Sequence, residues 1–475
     1  MVSTFIAFII YSAAVLIIGI WATRLPQETP EDIHLGSRDH GTWTSALSTS
    51  ASTESGWVLL GMVGMGYSIG VNCFWTLPFG VLGYALNWYI LAPKLRRKSE
   101  SLHVVTISEF IAESTGLTSI SKLAAAIAGL LSTFFLLIYV SAQFSAAGKA
   151  LSSQFPISYS NGVLCAVALI VFYAVLGGFR AVSWTDNLQA LMMVFSLVLL
   201  PLIIVFKIGG FSTLYTSLQM KDSSLVSLFH GASEMKGRFL SIAPWLMIGL
   251  GYCGQPHAIA RLMAVKDETV LRRAPVIAMI WLVIVYAGAV ILGMSARVGF
   301  EHIESISADP ETALPVLAVE LMPGILAGIT LAAIIAAISS TADSTLLSAT
   351  TTVTRDIRSA LRIPPAKNEL FSHRIMIVLL ALVSAYFALR RTHVIFHFVL
   401  VAFYGLGASL GPVILYCSLS KKPQPLPALA GVVTGGSLIF IFQSHELNFL
   451  ISFLSGIAAI VVLHGWLLMR GKTNR

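Results

Sequence analysis

Thirteen long apolar runs, with lysine and arginine crowded at alternate ends, decide what this 475-residue chain can become. The runs fall at residues 5–23, 44–69, 74–92, 120–151, 162–176, 187–206, 239–262, 276–294, 325–351, 375–388, 396–416, 428–442 and 449–469. A hydrocarbon core about 30 Å thick asks for roughly 20 such residues per helical crossing. Lipid offers open backbone groups no partners, so the reading is an all-α membrane protein. Charged residues make up only 11% of the chain, too few to cover a soluble domain of this size.

The basic residues orient the stack. With the N-terminus outside, 22 of the 30 Lys and Arg fall on the inner side. They include Arg96, Arg97, Lys98, Arg180, Arg272, Arg273, Arg355, Arg358, Arg362, Lys421, Lys422 and the tail 470–475. Positive charge gathers on the cytoplasmic side of membrane proteins, so the expectation is N-out, C-in, which needs an odd number of spans. This excess accounts for most of the net charge of +8, and no nucleic-acid partner is expected. The first run has no Lys or Arg before it and is read as a retained helix rather than a secretory leader. Cys73, Cys165, Cys253 and Cys417 have neither disulfide-framework nor zinc spacing. The longest polar stretches are too short for a separate catalytic core, so residues 1–475 read as one transmembrane domain.

Three spans depart from plain Leu/Ile/Val/Ala packing. The second carries eight Ser or Thr residues between Thr44 and Ser55, with Glu54 among them. Small hydroxyl residues satisfy backbone freed by a break, and a carboxylate at membrane depth costs about 2.5–3.5 kcal/mol or more, which marks it as functional. The alternative is a Ser/Thr packing face. In the seventh span Pro244 and Pro256 bracket Gly249, Gly251 and Gly254. Proline removes a donor and glycine weakens a helix interior, so an unwound segment is expected there. The ninth span places Ser340, Asp343 and Ser344 on one helical face, with Thr341 and Thr345 beside it. That patch suits either a hard cation or a hydrogen-bonded seam.

The breaks correspond. One opens a group of five spans over residues 42–206, the other a group of five over 238–418. Five is odd, so the two groups have opposite topology, as in secondary transporters built from inverted repeats.

At these residues the chain resembles the sodium/solute symporter family, most closely its sodium/proline branch. The matching stretches are residues 33–57 (IHLGSRDHGTWTSALSTSASTESGW), 177–190 (GGFRAVSWTDNLQA), 249–264 (GLGYCGQPHAIARLMA) and 335–358 (IAAISSTADSTLLSATTTVTRDIR). The resemblance implies a LeuT-type fold of thirteen helices: the 5+5 core, one N-terminal helix and two C-terminal helices. It implies a first sodium site from the carbonyls of Ala51, Glu54 and Ala337 and the hydroxyls of Ser340 and Thr341. It suggests a second site at Asp186, Ser340, Asp343 and Ser344. The implied substrate pocket comprises Ser55, Gly56, Trp57, Tyr139, Ile248 and Tyr252. Two positions depart from the branch: Thr53 stands where proline symporters usually carry Asp, and Ile248 where they carry Trp.

The expectation is therefore a multi-pass importer of the cell membrane. It would take up L-proline, or another small solute such as an amino acid, pantothenate or a monocarboxylate, by sodium or proton symport through alternating access. Sodium would be the coupling ion, with no organic cofactor and no obligate protein partner. A solute sensor on a transporter fold is the reading from another class, and an output domain would distinguish it. A channel would instead show pore rings or a filter, and an enzyme a metal or nucleophile constellation.

Overall fold

The structure is a computed structural model that describes residues 2–22, 24, 29–361, 363–364, 368–390 and 395–473. Arg362 and Arg475 of the expected inner set, and Thr23 at the end of the first expected span, lie outside the described residues. Among those residues the chain is all helix and turn. One isolated parallel bridge, His40 to Val265, joins two loops.

The principal helices are α1 Val2–Ala22, α2 Thr42–Thr53, α3 Val63–Ile69, α4 Thr76–Ala85, α5 Ser119–Ser152, α6 Tyr159–Lys207, α7 Met235–Gly251 and α8 Pro256–Met263. They continue with α9 Glu268–Gly299, α10 Gly324–Thr351, α11 Glu369–Arg390, α12 Ile395–Leu419, α13 Pro425–Ile441 and α14 Asn448–Thr473. Among the described residues, eight helices are long and apolar enough to cross a membrane. The expected spans 5–23, 162–176 and 428–442 lie on shorter apolar helices. The spans expected at 44–69 and 239–262 are interrupted, one between α2 and the turn at Trp57, the other between α7 and α8. A long helix also hides a joint. Within α6, Gly178 has φ +60° and ψ −165°, conformations open to glycine, and the direction of the chain changes there.

Burial ranks the helices. Of the most apolar window, 83% is buried for the helix through 324–360, against 28% for 448–470. Both sequences are equally lipid-compatible, so only packing puts the first at the centre and the second at the rim. The central α10 packs on α5, α6 and α1, and reaches α2. Close backbone approaches hold the core together. A Cβ on Gly83 of α4 would lie 2.2 Å from the Gly249 carbonyl of α7, and one on Gly288 of α9 would lie 1.8 Å from the Leu197 carbonyl of α6. Small residues at such crossings are what lets helices associate where the hydrophobic effect gives no drive.

Candidate functional site

The site begins with the backbone that α2 gives up. Glu54 leaves the helix at φ −97° and ψ +85°, and the chain resumes through a wide turn over Trp57–Met62. The serine and threonine side chains upstream turn back on their own carbonyls: Thr53 Oγ1 donates to Thr49 O at 2.9 Å and Ser52 Oγ to the same oxygen at 3.1 Å. Such back-bonding competes with the helix and favours its end here.

Groups at the break then find partners nearby and on distant helices. The Gly56 amide donates to Gln143 Oε1 of α5 at 3.3 Å. The Thr53 carbonyl accepts from the Trp57 indole at 3.1 Å and from Tyr139 Oη at 3.4 Å. Ser340 Oγ donates to the Ala51 carbonyl at 2.7 Å and is 3.0 Å from the Ala337 carbonyl. Thr341 Oγ1 lies 3.4 Å from Ala51 O and 3.0 Å from Ser52 O. The fold thus brings together Ala51, Ala337, Ser340 and Thr341, and adds the Ser52 carbonyl. Glu54 reaches the break through its backbone, while its side chain turns to a different set of partners.

Those partners are three tyrosines. Tyr252 Oη donates to Glu54 Oε1 at 2.6 Å, Tyr84 Oη to the same oxygen at 3.1 Å, and Tyr286 Oη to Oε2 at 2.8 Å. The Tyr252 and Tyr286 hydroxyls also lie against each other, and since each phenol has one proton, a proton placed between them is one not given to Glu54. Glu54 and all three rings are buried. Tyr252 owes its position to the second break: α7 stops at Gly251, residues Tyr252–Gly254 make a tight turn, and Gln255 is extended before α8 restarts at Pro256. Asn87 Nδ2 takes the Tyr252 carbonyl, and Gln255 Nε2 takes those of Gly251 and Phe403.

Trp57 stands edge-on to Tyr286 at 5.8 Å and tilted at 52° to Phe396 at 6.1 Å, while Tyr139 packs edge-on against His257 at 5.7 Å. Ser55 Oγ accepts from the Trp57 amide. Ile248 is buried on α7. The expected pocket residues Ser55, Gly56, Trp57, Tyr139 and Tyr252 therefore line the two breaks together.

Asp186, Asp343 and Ser344 form a second cluster whose organiser is Arg261 of α8. Its guanidinium donates to Asp186 Oδ2 at 2.8 Å, Ser344 Oγ at 2.5 Å, Ser48 Oγ at 2.7 Å and the His257 carbonyl at 3.0 Å. Ser344 Oγ lies 3.0 Å from Asp343 Oδ1 and also hydrogen-bonds the Ser340 carbonyl, which links the two clusters. Arg180 lies closer to Asp186 in sequence, but the turn at Gly178 sends it elsewhere, to Gly36 O and Ser37 Oγ. Sequence reasoning missed Tyr84, Tyr286 and Gln143. Tyr84 and Tyr286 sit in apolar stretches and carry no spacing signal, whereas Gln143 stands one helical turn after Tyr139 on α5, a spacing that could have pointed to it. Arg261 stands inside the matching stretch 249–264, but its partners lie 75 and 83 residues away.

A helical membrane bundle whose polar groups gather where two helices break is a transporter architecture. Residues 33–435 match the Sodium:solute symporter family, and the chain belongs to that family. It is a multi-pass protein of the cell membrane. It is 32% identical over 448 residues to the high-affinity proline transporter PutP of Bacillus subtilis, which covers 94% of this chain and 93% of that one. It is 31% identical over 445 residues to sodium/proline symporter 2 of Staphylococcus saprophyticus, covering 92% and 86%. The fold is that of a Na+-coupled sialic acid symporter solved in a substrate-bound outward-open state, with TM-score 0.81, 18% identity and 97% of each chain covered. A nucleobase-cation-symport-1 family transporter in a closed conformation also shares it, with TM-score 0.57 and 12% identity over 92% and 95%.

Proposed function

We propose that the chain imports L-proline with sodium by alternating access. The observation that carries this reading is the meeting of Ser340 and Thr341 with the Ala51 and Ser52 carbonyls at the α2 break. These oxygens, with those of Ala337 and the Glu54 backbone, are the hard ligands a sodium ion takes, and unwound carbonyls facing hydroxyls are how such folds hold it. The hydroxyls bond the carbonyls; sodium would replace those bonds with coordination and hold α10 against α2. The names of the relatives support proline as the solute. Trp57, Tyr139, Ile248 and Tyr252 would cover its ring.

In this reading the bundle has thirteen spans, N-out and C-in, with inverted repeats over 42–206 and 238–418. The basic-residue asymmetry and the matched breaks support it. A second ion at Asp186, Ser340, Asp343 and Ser344 would bind only when the Arg261 guanidinium yields Asp186 and Ser344, because both cations use the same oxygens. Moving one charge down 100 mV supplies about 2.3 kcal/mol, so a single sodium drives substantial accumulation.

The test is uptake into proteoliposomes. Proline accumulation that collapses when sodium is replaced on both sides by choline supports the reading. Proline that neither enters nor competes with any transported solute removes it and leaves the family alone.

A further inference from the structure

The mechanism outlined so far gives the Glu54 side chain no task. Yet it is a fully buried carboxylate whose hydrogen bonds all come from neutral hydroxyls. Among the described residues no Lys, Arg or His side chain forms an ion pair with it. A carboxylate at membrane depth normally has a cationic partner, because desolvation is otherwise uncompensated. Asp186 and Glu311, also buried, have theirs in Arg261 and Lys149.

The surroundings say which cation fits. The three hydroxyls come from α4, the α7–α8 break and α9, so the carboxylate lies where both broken segments and two unbroken helices meet. The walls are aromatic: Tyr252 stands perpendicular to Tyr84 at 5.2 Å and to Phe403 at 5.3 Å, and Trp57 edges Tyr286. A carboxylate for charge, phenol oxygens that accept N–H bonds and ring faces around them suit an organic ammonium joined to an apolar body. The cluster of Ala51, Ser340 and Thr341 shares no hydrogen bond with this carboxylate and offers a metal ion its own oxygens.

We propose that the Glu54 carboxylate, with the hydroxyls of Tyr84, Tyr252 and Tyr286, receives the ammonium group of the transported solute and selects charged amines over their neutral isosteres. The inference rests on the reading that the two breaks form the solute site. On entry the ammonium donates one N–H to Glu54. The Tyr252 and Tyr286 hydroxyls part, their protons stay on Glu54, and a phenol oxygen accepts the second N–H with a lone pair. Proline, with a secondary ammonium bearing two N–H groups beside an apolar ring, matches that count of acceptors.

The experiment compares proline with tetrahydrofuran-2-carboxylate, which has oxygen in place of the ring nitrogen, as competitors of proline uptake in proteoliposomes. The unaltered protein should strongly prefer proline. In Glu54→Gln the proline KM should rise at least about tenfold and the preference over the oxygen analogue should shrink, while sodium still shifts the melting temperature of the solute-free protein as before. Tyr286→Phe should do the same more weakly, and it carries the test if Glu54→Gln does not fold. Unchanged KM and preference in both variants overturn the proposal. So does a lost sodium shift with the preference intact, which would give the carboxylate to the metal ion. If proline is not a solute at all, the same variants are melted against a panel of amines and their neutral isosteres. An amine that stabilises the unaltered protein but not Glu54→Gln upholds the inference while the proline reading falls. Stabilisation by neutral solutes alone overturns the inference.

Discussion

Arg261 Nη2 lies 2.8 Å from Asp186 Oδ2, with 1% and 0% of the two side chains exposed. The pair joins α8, which follows the second break, to α6, and through Ser344 it also touches α10. Buried ion pairs roughly balance desolvation against attraction, but removing one partner strands the other. Arg261→Ala should therefore destabilise the protein by about 3–5 kcal/mol, and Arg261→Met with Asp186→Leu by much less. Thermal melts in detergent of Arg261→Ala, of Arg261→Met and Asp186→Leu singly, and of the double variant check this. Additive losses would show that the residues act independently.

Ser340 and Thr341 should be separable from the rest of α10 by their sodium response. Replacing both with Ala removes two oxygens from the cluster at the α2 break. The sodium concentration for half-maximal uptake should rise at least about tenfold, in line with roughly 1 kcal/mol lost per contact, while uptake partly recovers at high sodium. Uptake titrated with sodium at fixed ionic strength reads this directly.

Packing makes a sharper demand at Gly83. A Cβ there would stand 2.2 Å from the Gly249 carbonyl and 2.7 Å from the Tyr252 ring, so α4 or the broken segment would have to move. Gly83→Ala should cost about 1–3 kcal/mol and displace Tyr252. Gly465→Ala on α14, where a Cβ meets nothing within 4 Å, is the control and should melt no lower than the unaltered protein.

Glu311 ties three pieces of chain together. It accepts from Lys149 Nζ at 2.8 Å and from the amides of Ile395 and Phe396 at 3.0 Å each, at the start of α12. A carboxylate is favoured at a helix N-terminus. Glu311→Ala leaves Lys149 only Asp309 and frees two buried amides. A loss of about 3–5 kcal/mol is expected, with faster hydrogen exchange at the first turn of α12. Unaltered exchange there would mean that the amides hold without Glu311.

How much of this was legible in the sequence depends on the range of the interaction. The break in α2 was, because Ser and Thr compete for backbone locally and their excess over residues 44–55 is visible in one window. The break between α7 and α8 was, because Pro and Gly act on their own backbone. The hydroxyl patch of α10 was, because helical periodicity fixes a face. That Glu54 would meet three tyrosines was not, although Tyr252 was already expected in the pocket. Tyr84, Tyr252 and Tyr286 lie 30, 198 and 232 residues from it, and a lone tyrosine in an apolar helix, as Tyr84 and Tyr286 are, looks the same whether it meets lipid or a carboxylate.

The sequence by itself determined that this chain is a helical membrane protein, where its helices fail, and which residues stand at the failures. Those are consequences of transfer energy and local backbone chemistry, both of which act within a few residues. The tertiary structure alone decided what each freed group meets: Ala51 finds Ser340, Asp186 finds Arg261 in place of the nearer Arg180, and Glu54 finds three phenols. Inside lipid every buried polar group must be matched by another part of the protein. Which part does so follows from how the helices pack, and that is a property of the whole chain at once.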